Sequence, residues 1–154
     1  MTAPTFPAWP DADLHRGMLH SIHKSSMNHT AWRYTRLDTI HDELREIITL
    51  EQGEMPIVSS YIDSDRWYLL TSRYVWSGLA GYMTKTPGPN IAHSASGNFK
   101  GFGQQETERM VLQLHDGAEV HFDFETGFAS MAPIYYTRYW TLKFPALFKG
   151  LKFP

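Results

Sequence analysis

Apolar and polar positions recur with two different periods along this chain, and the change of period divides it. From Asp11 to Lys24, Leu14, Met18, Leu19 and Ile22 form an apolar stripe at helical spacing. A helix is predicted there, with Gly17 weakening it by about 1 kcal/mol relative to Ala. After a polar break at Ser25 to Thr30, Leu37, Ile40, Leu44, Ile47 and Ile48 recur on one face, while Asp42, Glu43, Arg45 and Glu46 fall largely on the other. That pattern predicts a second amphipathic helix, opened by Thr35 and Asp38 in the manner of a capping box and stopped by Gly53 in a left-handed cap.

Beyond Pro56 the period shortens. Ile57 to Ile62, Arg66 to Leu70 and Arg73 to Trp76 are rich in β-branched and aromatic residues and read as strands, the first two joined by a turn at Asp63-Ser64-Asp65. Gly78, Gly81, Pro87, Gly88 and Pro89 then break the chain into short pieces. Asn90 to Gln105 shows little periodicity and reads as a long flexible loop.

A hairpin follows whose register can be worked out. Met110, Leu112 and Leu114 alternate with Arg109, Val111 and Gln113, and Ala118, Val120, Phe122 and Phe124 alternate with Glu119, His121, Asp123 and Glu125. A two-residue Asp-Gly turn sets Leu114 against Glu119, apolar against polar. A three-residue loop, His115 to Gly117 with Gly117 left-handed, sets Leu114 against Ala118, Leu112 against Val120 and Met110 against Phe122, so one face becomes wholly apolar. The last segment, MAPIYYTRYWTLKF, is β-rich in composition, yet Ser130 can cap a helix that tolerates Pro133 in its first turn. A helix ending near Pro145 is favoured, with Tyr135, Tyr139 and Leu142 on one face. No internal repeat is present.

The 154 residues are enough for one domain with its own core, and an apolar content of 42% is that of a globular chain. A net charge of −2 gives no electrostatic reason to expect nucleic acid or an anionic membrane as partner. The absence of Cys removes disulfides, thiolate metal sites and a Cys nucleophile, and fits a reducing compartment. The opening MTAPTFPAWPDAD has neither a basic nor an apolar signal region. No apolar run approaches the roughly 18 residues of a membrane span. A cytoplasmic protein is the expectation.

Gly53-Glu54 after a helix pattern, then Tyr68-Leu69-Leu70-Thr71, Arg73 and Val75-Trp76, resemble the bacterial pleckstrin-homology-like domains, related in architecture to GRAM domains. The resemblance covers about residues 50–145. It implies an α+β fold: a strongly bent, seven-stranded antiparallel sheet or barrel closed by a C-terminal helix. Residues 1–10 are then an extended arm, 11–52 an added helical layer, 53–145 the sheet and closing helix, and 146–154 a tail, all within a single domain. Members of such a fold bind phosphoinositides, peptides or proteins. Lipid-binding members carry Lys and Arg in the first hairpin loop, where this chain has Asp63, Ser64 and Asp65 before a single Arg66.

Candidate chemistry is sparse. His15, His20 and His23 suggest a metal site, but without a zinc signature they read as surface polar residues, so neither metal nor cofactor is expected. His121 and Asp123, beside Glu119 and Glu125, read as the solvated side of a strand or as an acidic contact ridge. The glycines of SGNFKGFGQ lack the context of a phosphate loop, whereas Phe99 and Phe102 suit the anchoring of a partner. Lys143, Lys149 and Lys152 among Phe144, Phe148 and Phe153 suggest either a membrane contact or a docked tail. No nucleophile motif is present, and Ser94 and Ser96 beside His93 form no triad by sequence alone.

The leading expectation is a non-enzymatic protein-binding module, an immunity-type or adaptor protein of bacterial origin whose partner is a cognate toxin or effector. Its contact residues would be Asp63, Asp65, Phe99, Phe102, Glu119 and Asp123. A lipid-binding domain and a metal-dependent enzyme using the His cluster are the alternatives. The oligomeric state is left open.

Overall fold

The computed structural model describes residues 8–151 and Phe153. These form α1 (Asp11–Ser25), β1 (Thr35–Leu37), α2 (Asp42–Arg45), β2 (Pro56–Asp63), β3 (Arg66–Thr71), β4 (Tyr74–Leu79), β5 (Tyr82–Pro87), β6 (Ile91–Ala95), β7 (Thr107–Leu114), β8 (Glu119–Glu125), α3 (Met131–Arg138) and α4 (Phe144–Leu147). The class is α+β, as expected. The strands make two antiparallel sheets, in the orders β1-β2-β3-β4-β5 and β6-β7-β8. They are two separate ladders, and no barrel is closed among the described residues. Most of the expected N-terminal arm lies outside those residues; Trp9, at its end, is buried.

The apolar stripe of α1 and the apolar face of the β7–β8 hairpin, both read from the sequence, meet in the main core. Leu14, Met18 and Ile22 of α1, the apolar stripe, are fully buried. They face the inner side of the first sheet, where Val58, Tyr68, Leu70 and Val75 point, and α1 also packs on α3. β8 packs against β3 and β4, and delivers Phe122 and Phe124 to the same core. The β7–β8 register pairs Met110 with Phe122 and Leu112 with Val120. Its loop is the three-residue one, with Gly117 at φ 89° and Leu114 N–H donating to the Ala118 carbonyl at 2.8 Å.

The other face of the first sheet is covered as well. Trp67, Leu69 and Trp76 form a second apolar cluster with Leu44 and Ile48. Coverage on both faces explains why β3 reads as a continuous apolar run rather than an alternating one.

The cover is not the predicted amphipathic helix. Thr35–Leu37 is a strand paired with Ser60–Val58, and helix is confined to the single turn Asp42–Arg45. Asp38 stands at φ 59°, which ends the strand and excludes the capping box. Pairing with β2 gives this segment a ladder that a helix would forgo, and the apolar spacing Ile40, Leu44, Ile48 survives as contacts on the sheet. The helical layer over 11–52 is therefore α1 on one face and a wrapped segment on the other.

Two strands went unread in the sequence. β4 runs through Gly78, because the Trp67 indole lies where a Cβ would stand. A two-residue turn with positive φ at Ala80 and Gly81 then leads into β5, an exposed edge strand. β6 occupies the start of the supposed Asn90–Gln105 loop. The C-terminal segment is helical, but its buried face is Ala132, Tyr136, Tyr139 and Trp140, while Leu142 is exposed. Ser130 donates to the Gly127 carbonyl at 2.6 Å instead of capping. A π-helical turn over Tyr139–Lys143 precedes α4, which carries Pro145 in its first turn. The helix thereby continues past the proline, to Leu147.

Candidate functional site

Of the residues that carry the resemblance, Gly53, Glu54, Thr71, Arg73 and Trp76 meet at one polar network by the β3–β4 turn, while Tyr68, Leu69, Leu70 and Val75 lie in the apolar cores. Glu54, buried on the outer side of the first sheet, accepts from Thr71 Oγ1 at 2.5 Å, from Trp76 Nε1 at 2.9 Å and from the Glu51 N–H at 2.9 Å. Arg73 meets Asp11 in a two-pronged pair, Nε to Oδ1 at 3.0 Å and Nη2 to Oδ2 at 2.9 Å, and reaches Glu51 at 3.2 Å. Gly53, at φ 91°, is where the chain passes this pair: a Cβ would lie 3.0 Å from Arg73 Nη2 and 3.1 Å from Asp11 Oδ2. Ser72 and Trp9 add bonds across the same junction. Burial and then the Glu51 carboxylate push the Tyr74 phenol up to about 12. Every polar group in this cluster is engaged in holding α1 and the 51–55 turn to the sheet, so it reads as a latch and not a reactive centre.

The acidic positions singled out from the sequence are dispersed. Asp63 accepts from Arg66 Nε at 2.9 Å and from the Asp65 N–H at 2.9 Å, closing its own hairpin. Arg66 holds its carboxyl below the usual carboxylate range. Asp65 is exposed. Asp123 is buried and bonded to Arg109 Nε at 2.5 Å, so it is no solvated strand residue; Glu119 and His121 are exposed. Glu125 accepts from the Arg33 and Tyr34 N–H groups at 2.8 Å and from Thr35 Oγ1 at 2.9 Å, anchoring the start of β1.

Of the three clustered histidines, His20 and His23 are exposed and His15 is partly buried. His15 lies 2.6 Å from Asp38, and His23 stacks edge-on to His29. Among the described residues no three His, Asp or Glu side chains form a metal-binding group. The C-terminal tail is docked where it is described: Phe153 lies 4.2 Å from Trp9, centroid to centroid, and Phe148 stacks on Phe144. Lys152 is outside the described residues. Among the described residues no helix is long and apolar enough to cross a membrane.

Phe99 and Phe102 have a different setting. Their loop is internally bonded, which corrects the flexible reading. The Asn98 side chain donates to the Phe102 carbonyl at 2.9 Å and accepts from its N–H at 3.1 Å, and Glu108 accepts from the Asn98 N–H at 2.7 Å. Gly101 is required at φ 77°, since a Cβ would meet the Gln105 carbonyl and Thr126 Oγ1, each at 2.9 Å. Phe102 stands 72% exposed, while Phe99 turns inward against the core.

Phe99 and Met131 line two adjoining hollows. One, of about 500 Å³, is walled by Met27, Lys100 and Phe128; the other, of about 340 Å³, runs between β6 and α3 past Ser94, Ile134, Tyr135 and Arg138. Met27 is 62% and Phe128 54% exposed. Sequence reasoning found Phe99 and Phe102 but missed Met27, Phe128, Met131 and Arg138. Met27 inside a polar break and Phe128 after a glycine were the available signals. The arrangement is suited to holding an apolar segment, with no nucleophile–base pair built into its walls. Comparison with protein-family models, with curated proteins and with solved structures finds no match.

Proposed function

We propose that this chain is a non-enzymatic protein-binding module of pleckstrin-homology-like type, an immunity or adaptor protein of the bacterial cytoplasm. It seats a segment of a cognate protein in the groove beside Phe99 and acts by occluding or carrying that partner. The succession of one antiparallel meander (β2 to β5), a second (β6 to β8) and a helix (α3) supports the family reading. The observation that carries the function is the cluster of large apolar side chains left open around one groove, Met27 and Phe128 above Phe99 and Met131. Contiguous exposed apolar surface of this kind marks interaction sites on soluble proteins. Asp63, spent on its own hairpin, is not needed for this contact.

The test is site-specific photo-crosslinking in extract of the source cell, with the reactive group at Phe128 and, as control, at Met83 on β5. A single protein captured from position 128 and absent from position 83 is expected. Equal capture at both positions, or none at 128, would count against the reading.

A further inference from the structure

We infer that the segment held in this groove is acidic at both ends and apolar between them. Its apolar side chains lie over Phe99 and Met131, and its carboxylates reach Lys100 at one end and Arg138 at the other. The inference rests on the binding reading above and adds the chemistry of the partner.

Charge is the first argument. Lys100 and Arg138 are the charged residues lining the two hollows, and both are basic. Elsewhere Arg16, Arg33, Arg45, Arg66, Arg73, Lys85 and Arg109 each have a carboxylate within 4 Å, while Lys24, Arg36, Lys143 and Lys149 line neither hollow. Among the described residues neither Lys100 nor Arg138 enters an ion pair. Aromatic rings hold them instead: Arg138 lies 5.5 Å from the Tyr135 ring centroid, and Lys100 lies 6.0 Å from Phe99 and from Phe102. Such contacts orient a cation without neutralising it. Lys100 and Arg138 thus offer positive charge at the two ends of an apolar floor, Lys100 also bordering a third hollow with Glu106 and Glu125.

Spacing is the second. Arg138 follows Met131 by two helical turns, about 10 Å along α3, whereas Lys100 belongs to the hollow beyond Met131. The occupant must therefore present two anionic groups separated by apolar matter. A single-headed fatty acid or phospholipid carries its charge at one end. A peptide with Asp or Glu on both sides of aliphatic or aromatic residues satisfies both ends at once.

The probe is a phage-displayed library of random short peptides, panned on the wild-type protein, on Phe128→Ser and on the double variant Lys100→Glu/Arg138→Glu. Thermal melts of both variants verify folding. Wild-type protein should enrich sequences with carboxylates flanking apolar residues. Their binding should weaken about tenfold or more in the double variant and fall with salt. Peptides that lack acidic residues yet fail to bind Phe128→Ser would overturn this inference and leave the groove reading standing. Peptides indifferent to Phe128→Ser, or no enrichment at all, would overturn both. Binding to phosphatidylglycerol vesicles in place of peptides, lost in the double variant, would assign the two cations to lipid and also overturn the inference.

Discussion

Trp76 gives its indole N–H to the Glu54 carboxylate at 2.9 Å, and Thr71 gives its hydroxyl to the same oxygen at 2.5 Å. Both donors are buried, so removing the acceptor strands the Trp76 N–H and leaves the Thr71 hydroxyl only the Tyr74 carbonyl, at 3.3 Å. Glu54→Ala should cost about 2–3 kcal/mol, read from urea unfolding midpoints. A loss below about 0.5 kcal/mol, the scale of ordinary surface substitutions, would show that the latch is not structural.

The Asp11–Arg73 pair is nearly closed to solvent, with side chains 12% and 11% exposed. Breaking it from one side leaves a desolvated charge. Asp11→Leu alone should destabilise by about 3 kcal/mol, while Asp11→Leu with Arg73→Met should recover part of that loss. Strict additivity in the double-mutant cycle would mean the two residues do not act together.

Gly88 and Gly103 make a matched contrast. A Cβ at Gly88 would lie 2.0 Å from the Trp140 ring, whereas one at Gly103 would meet nothing within 4 Å but sit at φ 75°. Gly88→Ala should cost about 1–3 kcal/mol and alter tryptophan fluorescence. Gly103→Ala should cost about 1 kcal/mol with the emission spectrum unchanged.

His41 is buried, with Nδ1 2.6 Å from Ser59 Oγ. Burial and then Arg36 lower its pKa below the usual value of about 6.5. The unfolded chain therefore takes up the proton first. The stability tied to neutral His41 is complete above about pH 6.5 and is lost as pH falls below it toward the folded pKa. Melts of His41→Gln across pH 7 to 5 should show a shallower decline than wild type, about that interval being where the linkage acts. A smaller slope remains from His29, shifted the same way by burial and by His23.

What could be read from the sequence was what one face of one element dictates. The β7–β8 register followed from Leu112 and Val120 needing the same side, and α1 from Leu14, Met18 and Ile22. Ile40, Leu44 and Ile48 misled because helical spacing also fits a segment laid across a sheet. β5 gave no alternating signal, since Tyr82 to Lys85 are all exposed at a sheet edge. The groove was half legible. Phe99 and Phe102 stood out in a Gly-rich stretch, but Met27 lies far along the chain from the stretch Phe128 to Arg138, and only the packing of α1, α3 and the loop unites them.

Glu125 also sets an order of events in time. Its bonds to residues 33 to 35 span 90 to 92 positions, so the side-chain anchor at the start of β1 forms only once β8 exists. Until most of the chain has emerged, the cover on the outer edge of β2 is held by the short β1 ladder alone. Contacts this remote slow folding and prolong the exposure of a sticky edge. A variant lacking the Glu125 carboxylate would keep that edge open for longer, and its first symptom would be poor yield of soluble protein.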